Sequence, residues 1–80
     1  MLRLLIVDDE LPARSRLRRL LGEQPGCEVV GEAATGLEAQ QRIGQLAPDA
    51  LLLDISMPGM DGLELAAALK EVEPAPVVIF

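Results

Sequence analysis

Four apolar runs mark the chain: Leu2–Val7, Cys27–Ala33, Ala50–Leu53 and Val77–Phe80. The first and third are nearly continuous rather than alternating, the pattern of central parallel strands covered on both faces. Glu28 and Glu32 interrupt the second, which predicts a more exposed edge strand. The fourth is apolar to its last residue, and a strand of that kind at a chain end leads us to expect that more chain follows.

Three helical patterns lie between these runs. From about Leu11 to Leu21, Ala13, Leu17, Leu20 and Leu21 recur at helical spacing, with Arg14, Arg16, Arg18 and Arg19 largely off that face. Pro12 suits a first helical turn, where its missing N–H is not needed, and Gly22 with Pro25-Gly26 ends the segment. Thr35-Gly36-Leu37-Glu38 opens the second helix as a capping box; Ala39, Ile43 and Leu46 form its stripe, and it stops before Pro48. Asp61-Gly62-Leu63-Glu64 opens the third, with Leu65, Leu69 and Val72 on one stripe and Pro74 and Pro76 beyond its end. The order β-α-β-α-β-α-β predicts an α/β fold, a doubly wound parallel sheet with helices on both faces and right-handed crossovers.

At 80 residues there is room for one small domain of marginal stability. With one phenylalanine and no tyrosine or tryptophan, its core must be aliphatic. Neither repeats nor a low-complexity linker divide it. The net charge of −6 suits solubility and cation binding and is poor for wrapping nucleic acid. The four arginines between positions 14 and 19 read as a solvated helix surface rather than a DNA contact. A single cysteine, Cys27, excludes an internal disulfide and an all-cysteine metal site, and reads as a small strand hydrophobe. No histidine is present to act as base, nucleophile or ligand. The N-terminal run is no signal peptide, and no apolar run approaches the roughly 20 residues of a membrane span. The expected setting is cytoplasmic, without membrane contact.

Chemistry is concentrated in carboxylates. In open α/β sheets ligands bind beyond the carboxyl ends of the strands. Asp8, Asp9 and Glu10 follow the first strand directly, and Asp54 follows the third. If those strands are neighbours, at least three carboxylates converge on one pocket. Convergent carboxylates repel, and a bound cation such as Mg²⁺, which takes all-oxygen ligation, relieves the repulsion. A cation there would also offset the charge of an incoming phosphoryl group, and an aspartate can then act as nucleophile and form an aspartyl phosphate. A loop rich in proline and glycine, Ser56-Met57-Pro58-Gly59-Met60-Asp61-Gly62, follows Asp54. Asp61 itself reads as a helix cap.

The runs Leu4-Leu5-Ile6-Val7-Asp8-Asp9-Glu10 and Leu51-Leu52-Leu53-Asp54-Ile55-Ser56-Met57-Pro58-Gly59-Met60-Asp61-Gly62 together resemble the receiver domain of bacterial two-component response regulators. The resemblance covers all 80 residues. It implies a flavodoxin-like receiver fold with Asp54 as phospho-acceptor, Asp8, Asp9 and Asp54 as Mg²⁺ ligands, and the backbone carbonyl of Ser56 completing the metal site. It implies a sensor histidine kinase as phosphodonor and an output, expected to be transcription, controlled by phosphorylation rather than enzymatic turnover beyond the domain's own phosphorylation and dephosphorylation. The run from Asp9 to Arg14 is also similar to regulators carrying a LytTR-type DNA-binding domain.

Measured against the family pattern of five strands and five helices, residues 1–80 correspond to the N-terminal part, ending at the fourth strand (β1-α1-β2-α2-β3-α3-β4). The Ser or Thr after that strand, the Lys after the fifth, the last two helices and an effector domain are expected to lie outside it, so DNA would be reached only through an effector domain. Two other readings stand beside the phospho-accepting switch. One is an interaction or dimerisation module that works without phosphorylation, with self-association through apolar surface. The other is a Mg²⁺ phosphohydrolase using an aspartyl phosphate, which ranks below both because Ser56 stands where such enzymes place a second Asp.

Overall fold

A computed structural model describes residues 1–53, 67 and 76–79. The expected third helix falls outside these residues apart from Ala67, which is helical.

Strand β1 (Leu2–Val7) is buried from Leu4 to Val7 without alternation. That is what its continuous apolar run requires of a strand covered on both faces. Helix α1 (Leu11–Gly22) carries Pro12 in its first turn. The chain then returns through Gly26, at φ 85°, into β2 (Cys27–Ala33). Helix α2 (Gly36–Leu46) opens on Thr35, whose Oγ1 accepts from the Glu38 amide at 3.1 Å. It closes on Ala47, a left-handed residue at φ 46° whose amide donates to the Ile43 carbonyl at 3.0 Å. Pro48 follows and cannot continue the helix. Strands β3 (Ala50–Leu53) and β4 (Val77–Ile79) complete a four-stranded parallel sheet in the order β2-β1-β3-β4.

From β1 the chain crosses outward to β2, then back over β1 to β3. Because the direction reverses there, crossovers of one hand place α1 and α2 on opposite faces. Burial agrees. Leu5, Val7, Ala33, Leu51 and Leu53 form one cluster with Ala39 and Ile43 of α2, flanked by Leu46 and Val78. Leu4 and Ile6, the intervening β1 residues, are equally buried but belong to the other side, towards α1.

As expected, β2 is an edge strand, half-buried over most of its length. Its pairing with β1 shifts by one residue between Leu4 and Leu5: Leu4 faces Val29 and Leu5 faces Gly31, leaving Val30 without a partner. Two apolar expectations change. Leu20 belongs to the predicted stripe of α1 yet is 48% exposed, and α1 has no fully buried residue. In β4, Val77 and Ile79 are exposed and only Val78 packs on the core.

Candidate functional site

The carboxyl ends of β1 and β3 lie side by side, with Val7 paired to Leu53 and both buried. This is the reversal point of the strand order, with β2 on one side of β1 and β3 on the other, the position at which open α/β sheets bind ligands. Asp8 emerges there from β1. Its backbone amide donates to the Ala33 carbonyl at 3.0 Å, extending the β1–β2 ladder by one bond. Its Oδ1 accepts from the Glu10 amide at 3.0 Å, a local turn that uses one carboxylate oxygen. Asp8 is half-buried; Asp9 and Glu10 are exposed.

The donor set is anionic oxygen throughout, and among the described residues neither oxygen of Asp9 and only one of Asp8 is engaged by a protein donor. Such a pair suits a hard cation that binds one or two carboxylates and completes its shell with water and phosphate. No group of three acids converges among the described residues. Asp54 and Ser56, the other two expected site residues, lie outside the described residues, as does the loop through Gly62.

Sequence reasoning placed Asp8 and Asp9 at this end of the sheet but missed two residues beside them. Arg14 is not on a solvated face. Its side chain is 15% exposed, with Nη1 donating to the Asp8 carbonyl at 2.6 Å and Nε donating to Glu32 Oε1 at 3.2 Å. Arg18 Nη1 reaches Glu32 Oε2 at 2.7 Å. Glu32 had read only as an interruption in an edge strand. It is the acceptor of both arginines, across 18 and 14 residues of sequence. A usable signal was present: Arg14 and Arg18 are four residues apart and so share one helical face, and that face needed an acid opposite it.

Across the described residues no helix is long and apolar enough to cross a membrane.

Comparison with known proteins agrees with this geometry. The family model for the response regulator receiver domain matches residues 4–80. An uncharacterized response regulatory protein of Yersinia pestis is 50% identical over 80 residues, all of this chain and 33% of that protein. The positive alginate biosynthesis regulatory protein of Pseudomonas aeruginosa is 54% identical over 77 residues, 95% of this chain and 31% of that protein. Other relatives are protein-glutamate methylesterase/protein-glutamine glutaminases, of which the chain spans 20–22%. Among solved structures, the response regulator domain of Thermotoga maritima CheB superposes with a TM-score of 0.86 at 37% identity, covering 98% of this chain and 57% of that one. The chain thus spans about a third or less of the curated relatives it matches. By family match, sheet order and the acids at the reversal point, it belongs to the response regulator receiver domains of two-component systems.

Proposed function

We propose that this receiver accepts a phosphoryl group on Asp54 from a sensor histidine kinase, with a Mg²⁺ ion held by Asp8, Asp9, Asp54 and the Ser56 carbonyl. The carrying observation is the register of β1 and β3. Val7 and Leu53 are partners at the carboxyl edge, and Asp8 and Asp54 are the next residues in sequence. When bound, the cation supplies charge neutralisation for the phosphoryl oxygens. The chain's own part is to hold Asp8 by three hydrogen bonds, with the Asp9 carboxylate unengaged among the described residues. The carboxylate of Asp54 is the nucleophile: one oxygen forms a bond to phosphorus, and the bond from phosphorus to the donor breaks, with the electron pair leaving on the donor.

The setting is cytoplasmic, and the domain acts as a switch rather than a turnover enzyme, with output exerted by other parts of a longer protein. Relatives sharing this receiver are named both as a biosynthesis regulator and as methylesterases. A transcriptional output through a LytTR-type domain therefore rests on the run Asp9–Arg14 alone. Self-association is supported by Leu20, Val77 and Ile79, which are 48%, 64% and 45% exposed.

Intact mass after incubation with Mg²⁺ and a small acyl phosphate tests the acceptor. A gain of one phosphoryl group, lost in Asp54→Asn, is expected. Labelling that persists in Asp54→Asn, or no labelling of chain shown by circular dichroism to be folded, would overturn the assignment.

A further inference from the structure

We infer that Arg14 is a positioning residue for the acidic pair, a tie from α1 to the Asp8–Asp9 peptide that sets cation affinity. The inference rests on the reading of Asp8 and Asp9 as cation ligands.

The tie follows from geometry. Glu10 is the N-cap of α1, so Arg14 lies one turn into the helix. Helical side chains lean toward the N-terminus, which carries the guanidinium back over the β1–α1 junction. There it donates to the Asp8 carbonyl at 2.6 Å. That carbonyl belongs to the planar peptide joining Asp8 to Asp9. Fixing its direction fixes the rotation of the plane, and with it the directions in which both side chains leave the backbone. The Asp8 amide is held independently by Ala33, and Oδ1 by Glu10. Among the described residues, Arg14 is the donor that holds the Asp8–Asp9 peptide by its carbonyl, while the Glu10 bond holds the peptide that follows Asp9.

Charge makes the tie compatible with a cation. An unpaired guanidinium beside the acids would compete with a divalent ion. Glu32 offsets it, accepting from Arg14 at 3.2 Å with 15% and 27% of the two side chains exposed. Glu32 reaches α1 because of the register shift at Val30. Along β1, side chains alternate between faces, and paired residues in a parallel ladder share a face. Beyond the shift, Gly31 and Ala33 pair with Leu5 and Val7 of the α2-side cluster, and Glu32 pairs with Ile6 on the α1 side. Without the extra residue the strand's faces would be exchanged and Glu32 would point at α2. Thus an irregularity in an edge strand delivers the counter-charge for a helix residue that orients the acids.

The test measures Mn²⁺ binding through loss of the free ion's paramagnetic resonance signal, alongside thermal stability. Arg14→Gln should weaken Mn²⁺ binding by about tenfold, the scale on which partners of metal ligands act. Arg14→Lys, which keeps the charge but lacks the rigid fork that spans both acceptors, should fold like the parent and fall between. Arg18→Gln breaks a Glu32 contact without touching Asp8; it should shift stability less than Arg14→Gln does and change affinity by less than about twofold. If the parent binds Mn²⁺, Asp9→Asn abolishes binding, and Arg14→Gln and Arg14→Lys bind as the parent does, the tie is refuted and the cation reading stands. If the parent does not bind and Asp9→Asn changes nothing, the cation reading fails and the tie falls with it.

Discussion

Arg3 and Asp49 hold each other by two hydrogen bonds, one in each direction. The Arg3 amide donates to Asp49 Oδ2 at 2.8 Å, and the Asp49 amide donates to the Arg3 carbonyl at 2.8 Å. The Arg3 guanidinium also donates to the Ala47 carbonyl at 2.9 Å, and the Asp49 carbonyl accepts from the Val77 amide at 3.0 Å. The turn after α2 is therefore tied to β1 and β4 at the amino edge of the sheet, and the Leu4–Ala50 register starts from it. Asp49→Ala should lower stability by about 1 kcal/mol, the usual net worth of such a bond. Asp49→Asn, which keeps an accepting oxygen, should lose less. Urea denaturation with an unchanged slope would check both.

Gly31 stands against α2, where a side chain would meet two leucine methyl groups. A Cβ there would lie 2.8 Å from Leu46 Cδ1 and 3.3 Å from Leu5 Cδ1. Gly31→Ala should cost at most about 1 kcal/mol, since both neighbours are leucine side-chain ends that can shift. Because the nearer atom is the end of a leucine, the cost should shrink when Leu46→Ala is present. A double-mutant cycle reads this as a coupling, and strict additivity would place the cost in the strand backbone instead.

The ends of α2 are unequal in quality. Thr35 caps the first turn through its hydroxyl, and Thr35→Ala should cost about 1 kcal/mol while Thr35→Ser costs little. Ala47 ends the helix at φ 46°, a conformation that costs an L-residue about 1–2 kcal/mol. Ala47→Gly removes that cost, partly offset by the entropy of a freer unfolded chain, and should raise the melting temperature.

Asp9 is exposed, has no hydrogen bond among the described residues, and sits between two other acids. In the absence of divalent cation Asp9→Asn should leave stability unchanged or slightly raised, because a like charge is removed. With millimolar Mg²⁺ the parent should gain melting temperature and the variant should not, since only ligand binding to the folded state shifts that equilibrium. Equal Mg²⁺ stabilisation of both proteins would remove Asp9 from the ligand set.

Much of the fold was legible because its signals are local. The unbroken run Leu4–Val7 marked a strand buried on both faces, Thr35 with Glu38 marked a helix start, Pro48 marked its stop, and Glu28 with Glu32 marked β2 as an edge. The placement of Asp8 and Asp9 directly beyond the carboxyl end of β1 was legible in the same way. Each of these reads from neighbours a few positions apart, where backbone preference and burial period act.

Arg14, Glu32 and Leu20 obeyed another rule. Helical periodicity gave Arg14 to solvent and Leu20 to the core, and packing reversed both. The half-buried Arg14 is matched by an acid that lies on a different element, presented by a one-residue shift in strand pairing. Local pattern sets which segments become strands and helices. The faces they turn to one another, and hence which charges meet, depend on register between segments far apart in the chain, where a slip of one residue exchanges every side chain between the two sides of the sheet.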